Sequence, residues 1–382
     1  MIQNRDFIVF SDDWGRYPFS CQHIMQKFLP NNRLLWVNTI GMRNPTLSFR
    51  DLKRSVEKLG SWLSKDASSN ETLPQNLHIV NPHMLPFSNI AAVRRFNKSS
   101  VVRSVSERAS ALGFSNPIVV TTLPITADYI GALNEKLSIY YCVDDYAEMP
   151  GNNPGLMQQL EQKLLQKVDV VCASAASLVE KTSTEKHQPL LLAHGVDTEH
   201  FCCQNLDDDT RSTHTPTIGF FGAISPWLDL ELLEQLAAKR SDWRFVLIGP
   251  ADADISRLQQ LPNVVFPGKT DYAELPGAAA EFDVALIPFK VNTLTLSVNP
   301  LKMMEYLALG LPVVSTPLPE VEKHSDLVFM AKDAAEFEQQ IEQALANDSE
   351  ALRRQRIDRA GQYSWRAVAE RFSAFIEEHS TL

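Results

Sequence analysis

A lysine and a glutamate, Lys302 and Glu305, lie near the start of the otherwise apolar segment SVNPLKMMEYLALGLPVVSTPLPEV, residues 297–321. Asn299 is placed to cap a helix, Pro300 to take its first position and Gly310 to follow its end, which predicts a helix of about three turns. A helix that is apolar on most sides is buried. Because a lysine in the first turn opposes the helix dipole, the polar pair indicates a functional role.

The chemistry that this pair could support is anion binding. The preceding loop, FKVNTLTLSV, leads directly into the helix, so Asn299, Leu301 and Lys302 lie at a helix N-terminus with free backbone N–H groups. Hydrogen bonds from Lys302 to a diphosphate would outweigh a dipole penalty of about 0.3–1 kcal/mol. Glu305, one turn further on, would meet hydroxyl groups, and a diphosphate beside a ribose describes a nucleotide. The alternative is an exposed Lys/Glu pair on an amphipathic face.

Acidic pairs in the first half of the chain suggest acid–base chemistry. Asp13 lies in SDDW, and Asp144 and Asp145 lie in CVDDYAE, each pair directly after a strand-like run. A base that deprotonates a hydroxyl group could come from either pair, although aspartates also favour capping turns between a strand and a helix. His194, in LLAHGVDTEHF, could contact a ligand or simply satisfy a loop carbonyl.

Short apolar runs alternate with helix-like stretches along the chain, which predicts parallel strands connected by helices. A polar segment without periodicity, residues 202–217, interrupts the alternation and predicts a linker. We therefore expect an α/β protein with two doubly wound domains, residues 1–204 and 205–363, and a final helix over residues 364–382 that packs back. Ligands bind outside the carboxyl ends of such strands, so the candidate residues would surround a cleft between two facing sheets. The runs cover residues 7–11, 34–38, 77–80, 118–121, 137–143, 168–172, 190–193, 217–221, 245–248, 264–266, 284–288, 311–315 and 327–330.

The length and composition of the chain fit two domains and predict a cytoplasmic protein. The chain has 382 residues, of which 44% are apolar, and no run of some 18 apolar residues that would span a membrane. Its N-terminus, MIQNRDFIVFSDDW, reads as a first strand and not as a signal peptide. The five cysteines lack metal spacing, and Cys142 and Cys172 fall in strand-like runs where burial is expected. No metal site is predicted, because the acidic triplet at residues 207–209 falls in the linker.

Charge is distributed unevenly along the chain. Net charge is −10, yet residues 1–110 hold 15 Lys and Arg against 8 Asp and Glu, which suggests an anionic partner. Two segments, RDLKRSVEKLGSWLSK at 50–65 and HMLPFSNIAAVRRFNKSSVVRS at 83–104, mix basic and apolar residues and could lie on an anionic membrane surface. The alternative is an ordinary amphipathic helix with a solvated basic face. No nucleic-acid-binding motif accompanies the charge, so nucleic acid is not a predicted partner.

Six segments carry a family resemblance by their order and spacing: IYYCVDDYAEMPG (139–151), LLAHGVDTEHF (191–201), IGFFGAISPWLDLELL (218–233), WRFVLIGP (243–250), NVVFPGKTDYAELP (263–276) and FDVALIPF (282–289). Over nearly its whole length the sequence thereby resembles the two-domain GT-B glycosyltransferases, nearest to the family 4 type and to bacterial enzymes of exopolysaccharide, capsule and teichuronic acid assembly. That resemblance implies two Rossmann-like domains facing a cleft, with a nucleotide-sugar donor on the C-terminal domain and an acceptor on the N-terminal domain.

The resemblance also implies roles for individual residues. Glu305 matches the glutamate that binds the donor ribose, and the loop 268–272 matches the one near the nucleobase. Asp145 aligns with the base of xanthan-type inverting glucuronosyltransferases, which the chain also resembles in HGVD. The donor site inferred in this way contains Gly222, Lys269, Tyr272, Lys290, Asn299, Leu301, Lys302 and Glu305.

Two departures from the family pattern leave the stereochemistry open. Ser297 stands where retaining family 4 enzymes usually carry a glutamate, and GAISPWLD lacks the Arg and Lys that neutralise the leaving diphosphate. Because the leaving group still needs positive charge, Lys302, Lys290 and the helix N-terminus are the available substitutes. Transfer could therefore retain or invert the anomeric centre.

The resemblance predicts a glycosyltransferase of surface polysaccharide assembly with a nucleotide-sugar donor, for which family frequency favours UDP over GDP. Its acceptor would be a lipid-linked saccharide at the inner face of the cytoplasmic membrane, and no metal would be required. Two alternatives share the fold: a nucleotide-sugar epimerase and a catalytically silent binding partner. A dinucleotide-dependent oxidoreductase would need a GxGxxG motif after an early strand, which residues 7–14 do not contain.

Overall fold

Every apolar run that predicted a strand forms one in the structure, a computed structural model that describes residues 1–15, 19–39, 73–202 and 215–380. The strands form two sheets, and each strand pairs in parallel with its neighbours. Parallel strands are covered on both faces, which explains why they read as continuous apolar runs. The predicted α/β class with two doubly wound sheets is confirmed.

The described residues form a first sheet of seven strands in the order β3-β2-β1-β4-β5-β6-β7. Its largest fully buried side chains include Trp36, Tyr140 and Tyr141, which lie on its central strands. The strand bounds are β1 Asp6–Ser11, β2 Arg33–Asn38, β3 Leu77–Val80, β4 Ile118–Thr121, β5 Leu137–Cys142, β6 Val170–Ala173 and β7 Leu190–Leu191.

In the part of the chain that the structure describes, the second sheet has six strands in the order β10-β9-β8-β11-β12-β13. Its core is also rich in aromatic residues, among them Phe220, Phe221 and Phe245. The strand bounds are β8 Thr217–Phe221, β9 Arg244–Ile248, β10 Val264–Gly268, β11 Val284–Ile287, β12 Val313–Ser315 and β13 Val328–Met330.

Helices connect the strands in both sheets. Asn153 caps one of them by accepting a hydrogen bond from the Leu156 N–H, and Pro154 takes its first position. The helix bounds are α1 Ser20–Phe28, α2 Ala91–Ala111, α3 Pro154–Lys167, α4 Ala176–Thr182, α5 Leu230–Lys239, α6 Leu275–Ala279, α7 Thr293–Leu296, α8 Leu301–Ala308, α9 Pro319–Glu322, α10 Ala334–Asn347, α11 Glu350–Gly361 and α12 Trp365–Ser380.

The chain divides into two units, one around each sheet. The first contains residues 1–174, 178–192 and the described residues from 369 onwards, and the second contains residues 175–177 and 193–368. Within the first unit, Phe372 of α12 stacks on Phe28, with the ring centroids 6.0 Å apart. The boundary predicted between residues 204 and 205 lies outside the described residues and stays a prediction.

Each sheet reverses its strand order beside its first strand, between β1 and β4 and between β8 and β11. Open α/β sheets bind ligands at such a switch point, outside the carboxyl ends of the strands. The loops that follow β1 and β5 in the first unit, and β8 and β11 in the second, are therefore the places where functional side chains are expected.

Several sequence-based expectations concern residues outside or only partly inside the described ranges. The predicted basic helix at residues 50–65 and the acidic triplet at 207–209 both lie outside them. The buried positions expected for Cys142 and Cys172 are confirmed, and both thiols are free. Among the helices that the structure describes, none combines the length and the apolar content needed to cross a bilayer.

Candidate functional site

Helix α8 begins later and is shorter than predicted. It starts at Leu301 and has two turns of helix instead of three, with Pro300 in the N-cap position. The capping role predicted for Asn299 is therefore wrong, and Asn299 is a buried residue just before the cap. Because proline has no side-chain oxygen, the cap residue itself makes no side-chain hydrogen bond to the helix. Pro300 therefore does not occupy the N-terminus of α8 with a side-chain acceptor, and N–H groups at a helix N-terminus can bind an anion.

The end of α8 is as the sequence predicts. Gly310 has φ of 71°, and its N–H donates to the carbonyl of Leu307, with N and O 2.9 Å apart. The N–H of Leu311 donates to the carbonyl of Tyr306 at 3.0 Å. These two bonds form a Schellman motif, which ends the helix and leads the chain into β12.

Lys302 and Gly222, two predicted donor-site residues, lie in contact. A Cβ atom on Gly222 would lie 2.2 Å from Lys302 Cε, and Gly222 has φ of 145°. Lys302 Nζ lies 5.9 Å from the centroid of the Phe221 ring. The lysine side chain therefore lies across the glycine turn at the end of β8, where only a residue without a Cβ leaves room for it.

Glu305 carries a buried acceptor for which the described residues provide no donor. Its Oε2 atom is buried and has no hydrogen-bond partner. Burial raises the pKa of Glu305, while the nearby Lys302 and His200 oppose that increase. Buried carboxylate oxygens are normally satisfied, so an unsatisfied one suggests a ligand that donates hydrogen bonds. Ribose hydroxyls are donors of that kind.

His200 and Tyr272 form the other side of this cluster. Their rings stack with centroids 4.3 Å apart, and His200 Nε2 lies 2.8 Å from the Tyr272 carbonyl oxygen. Burial raises the pKa of Tyr272, and the charges of Glu305 and Asp197 add to that effect. Glu305 and Tyr272, thirty-three positions apart in the sequence, therefore lie in the same electrostatic neighbourhood.

His200 is a candidate that residue-type reasoning missed. The one signal in the sequence is its place in HGVDTEHF, directly before Phe201, and that motif does not distinguish it from its neighbours. Its ring also contacts Phe201 edge-on, and Phe201 stacks on Phe221. His200 thus joins the loop that ends at Tyr272 to the aromatic core under Lys302.

The remaining predicted donor-site residues are less tightly connected. Lys290 Nζ donates to the Pro226 carbonyl at 3.1 Å, so its ammonium group contacts the loop after β8. Lys269 is exposed and Leu301 is half-buried. Asp229, in the same loop as Pro226, caps α5 by accepting a hydrogen bond from the Leu232 N–H.

In the first unit, Asp144 has the electrostatics expected of a general base. Burial, together with the negative charges of Asp12 and Asp145, raises the pKa of Asp144 to about 7. A base whose pKa is close to the working pH is the most effective one. The two acidic pairs, which follow β1 and β5, therefore influence each other. The member of the first pair whose charge reaches Asp144 is Asp12, and the predicted Asp13 is a half-buried neighbour.

Asp145 is already engaged by other groups of the protein. Its Oδ1 atom lies 2.7 Å from Lys181 Nζ and accepts a hydrogen bond from the Ala147 N–H at 3.1 Å. The capping turn considered for these aspartates is present at Asp145. Lys181, a lone lysine in α4, has no feature in the sequence that distinguishes it from a surface residue.

His194 is buried in the second unit, and burial lowers its pKa to about 4. The imidazole is therefore neutral at ordinary pH and a weak base. The next residue, Gly195, packs closely against Trp365, because a Cβ atom there would lie 2.6 Å from that ring. The surroundings of His194 are those of a packed loop.

Comparisons with known proteins relate the second unit to glycosyltransferases. Residues 215–347 match the family model described as glycosyl transferases group 1. The chain is 29% identical over 204 residues to a protein of Bacillus subtilis named for teichuronic acid biosynthesis, the glycosyltransferase TuaH, covering 48% of this chain and 51% of that protein. It is 32% identical over 138 residues to a GDP-mannose-dependent alpha-mannosyltransferase of Mycolicibacterium smegmatis, covering 35% and 34%. The chain therefore spans about half the length of the first relative and a third of the second.

Solved structures of other proteins superimpose on almost the whole chain. A sucrose-phosphate synthase of Thermosynechococcus elongatus superimposes with a TM-score of 0.74 at 13% identity, over 98% of this chain and 99% of that one. Anabaena HepE in complex with UDP gives 0.66 at 12% identity, over 98% and 100%. Such low identity establishes the fold alone, that of two Rossmann-like units. The chain has the GT-B fold, and its residues 215–347, which contain Gly222, Tyr272, Lys302 and Glu305, form a glycosyl transferases group 1 domain.

Proposed function

We propose that this chain is a glycosyltransferase that moves a sugar from a nucleotide-sugar donor to a hydroxyl group of a saccharide acceptor. The observation that carries the proposal is the buried, unpartnered Oε2 atom of Glu305, one turn along α8 from Lys302. A carboxylate in this position can accept hydrogen bonds from ribose hydroxyls, while Lys302 and the N-terminal N–H groups of α8 bind the diphosphate. Tyr272 and the loop before it would lie beside the nucleobase. The second unit then holds the donor and the first unit the acceptor.

The transfer step requires a base and a stabilised leaving group. The acceptor oxygen would attack the anomeric carbon as its proton passes to the Asp144 carboxylate. The bond between the anomeric carbon and the diphosphate oxygen breaks, and the nucleoside diphosphate leaves with its electron pair. Lys302 and the N-terminus of α8 would stabilise that negative charge. Asp144 is preferred to Asp145 as the base because Asp145 is paired with Lys181.

The donor nucleotide is proposed to be UDP. Anabaena HepE, of the same fold, has been solved in complex with UDP and with UDP-glucose, which supports a uridine nucleotide. The mannosyltransferase relative uses GDP-mannose by name, so a GDP-sugar is the alternative to compare. The relative named for teichuronic acid biosynthesis supports a place in surface polysaccharide assembly, with a lipid-linked saccharide as acceptor.

We further propose that the first unit associates with the anionic inner face of the cytoplasmic membrane. Four large apolar side chains at the start of α2 and in the loop before it are 44–50% exposed, and the basic residues Arg95 and Lys98 are exposed beside them. Exposed apolar and cationic groups together favour an anionic lipid surface. Phe87 adopts φ of 73°, a costly conformation for an aromatic residue. This set, here called the lipid-facing patch, consists of Leu85, Phe87, Ile90, Arg95, Phe96 and Lys98.

The test of donor binding is a calorimetric titration of the full chain with UDP, GDP, UDP-glucose and GDP-mannose. We expect binding of one nucleotide series and a loss of roughly 10- to 100-fold in affinity in Glu305→Ala. Glu322→Ala, which removes an exposed glutamate of the second unit, is the matched control. If no nucleotide binds, or if Glu305→Ala binds as well as its control, the proposal is wrong. Conversion of the nucleotide sugar without acceptor would support the epimerase instead.

A further inference from the structure

The first unit contains a buried carboxylate that the proposed mechanism does not use. Glu161 of α3 is 6% exposed and accepts a hydrogen bond from the Tyr140 hydroxyl at 2.8 Å. Its Oε2 atom lies 2.8 Å from Lys181 Nζ. A buried carboxylate is costly unless it is paired and hydrogen-bonded, and Glu161 meets both conditions.

Lys181 connects this buried carboxylate to the candidate catalytic loop. Its ammonium group lies 2.8 Å from Glu161 and 2.7 Å from Asp145. The Lys181 side chain is only 29% exposed, so solvent screens these two contacts weakly. The loop after β5 is therefore held by one cation whose other partner is fixed inside the unit.

We propose that Lys181 is a positioning residue for glycosyl transfer: anchored by Glu161, it holds the Asp145 carboxylate and so fixes the neighbouring Asp144 as the general base. The inference rests on the proposed function, because it assigns a role to Lys181 in that reaction. A backbone N–H, that of Ala147, already bonds Asp145, and a lysine with a buried anchor adds a second constraint on the same carboxylate.

The same contact balances charge around the base. The acidic groups that reach Asp144 are Asp12, after β1, and Asp145, in its own loop. Lys181 neutralises part of the charge of Asp145, and Glu161 in turn neutralises part of the charge of Lys181. Removing Lys181 leaves Asp145 uncompensated, which disfavours the ionised form of Asp144. Removing the charge of Asp145 has the opposite effect.

The test compares Lys181→Met with Asp145→Asn and Lys181→Arg in the full chain. The pH profile of kcat/KM reports the ionisation of the base in the free enzyme. We expect its acid limb to move to higher pH in Lys181→Met, by roughly half a pH unit or more, and to lower pH in Asp145→Asn. Lys181→Arg should restore part of the wild-type rate. Lys163→Met, which removes a different lysine–aspartate pair of the same unit, should leave the limb unchanged.

A second readout does not depend on activity. Carbon-13 NMR of labelled aspartate carboxyl groups follows the titration of Asp144, assigned with Asp144→Asn. If Lys181→Met unfolds the chain, the double variant Lys181→Met/Glu161→Gln removes the buried charge and keeps an acceptor for the Tyr140 hydroxyl. An unchanged titration of Asp144 in a folded Lys181 variant would overturn the inference. A changed titration in a chain that transfers no sugar would instead refute the proposed function and leave the coupling established.

Discussion

The Lys302 side chain crosses the backbone of Gly222 so closely that a single added carbon at that glycine would displace it. A Cβ atom there would lie 2.2 Å from Lys302 Cε and 3.1 Å from Phe220 Cζ. Gly249, after the neighbouring strand, is in the same situation, because its Cβ would lie 1.9 Å from the Gly222 carbonyl oxygen. The two glycine turns after β8 and β9 therefore form one close-packed backbone layer that directs the lysine.

Gly222→Ala should weaken binding of the nucleotide-sugar donor, because the added methyl group would displace the Lys302 side chain. The methyl group would force the ammonium group away and would strain a backbone at φ of 145°. We expect KM for the nucleotide sugar to rise roughly 10- to 100-fold. Gly277→Ala, at a helical position with open space around it, is the control and should leave KM unchanged. Equal kinetics in the two variants would show that Lys302 does not contact the donor.

Glu305→Gln should stabilise the unliganded protein while weakening donor binding. Burial raises the pKa of Glu305 in the folded state, so the fold loses stability as the pH rises from the unfolded-state pKa to the folded-state pKa, and stays less stable above it. The free energy of unfolding of the variant should therefore exceed that of the wild type at pH 8, and the difference should be smaller at pH 4. Denaturant unfolding at both pH values, with and without UDP, measures this. A loss of stability at pH 8 would mean that Glu305 has an internal partner.

Asp144→Asn should abolish most of the transfer activity. An amide cannot take the acceptor proton, and removal of a general base costs roughly 10²- to 10⁴-fold in rate. In the wild type, kcat/KM should fall as the pH drops below about 7, the pKa of Asp144. His194, whose pKa is about 4, should not contribute to this limb. Asp13→Asn tests the other acidic pair. A larger loss of transfer activity in Asp13→Asn than in Asp144→Asn would indicate that Asp13 is the general base.

Asp144→Asn should also raise stability at high pH. Because the folded-state pKa exceeds the value of the unfolded chain, stability falls as the pH rises between these two values and stays lower above the folded-state pKa. The free energy of unfolding should rise by about 1–3 kcal/mol at pH 8 and hardly change at pH 4. Chemical denaturation at the two pH values checks the sign. Such a trade of stability for function is common at active sites.

His200→Ala should impair donor binding more than catalysis. The ring of His200 stacks on Tyr272 and bonds its carbonyl group, so its loss would loosen the loop that is proposed to bind the nucleobase. We expect KM for the donor to rise by about 5- to 30-fold with kcat changed less. His200→Gln, which can still bond the carbonyl oxygen, should recover part of the affinity. A drop in kcat with KM unchanged would place His200 elsewhere in the mechanism.

The lipid-facing patch should control binding to anionic vesicles. Flotation with vesicles of phosphatidylglycerol and phosphatidylcholine should recover the wild-type chain and lose Phe87→Gly/Phe96→Ser. Arg95→Gln/Lys98→Gln should bind only at low ionic strength, because screening removes the remaining attraction. Lys332→Gln/Arg354→Gln removes two exposed charges of the second unit and serves as control. Recovery independent of lipid charge would refute the membrane assignment.

The sequence alone determined where the strands lie and that they are parallel strands of two doubly wound sheets. Strands buried on both faces need continuous apolar residues. The runs ending at Ser11 and Phe221 can therefore be predicted as strands from the local sequence, without knowing which strands pair with them. The same local logic places Gly310 at the end of α8, because that position requires a left-handed backbone. Lys302 and Glu305 could also be predicted as site residues from the local sequence, because two charged residues are unusual in an otherwise apolar helix.

The tertiary structure alone decided which polar residues meet. Asp12 and Asp144 follow strands that are separated in the sequence by more than a hundred residues, and the strand order decides that their charges interact. Lys181, Glu161 and His200 look like surface residues in the sequence because their partners belong to other elements. The N-cap of α8 is Pro300 and not the predicted Asn299, because the packing of the preceding loop determines where a helix begins. Local patterns record burial, whereas pairing of side chains depends on contacts between distant segments.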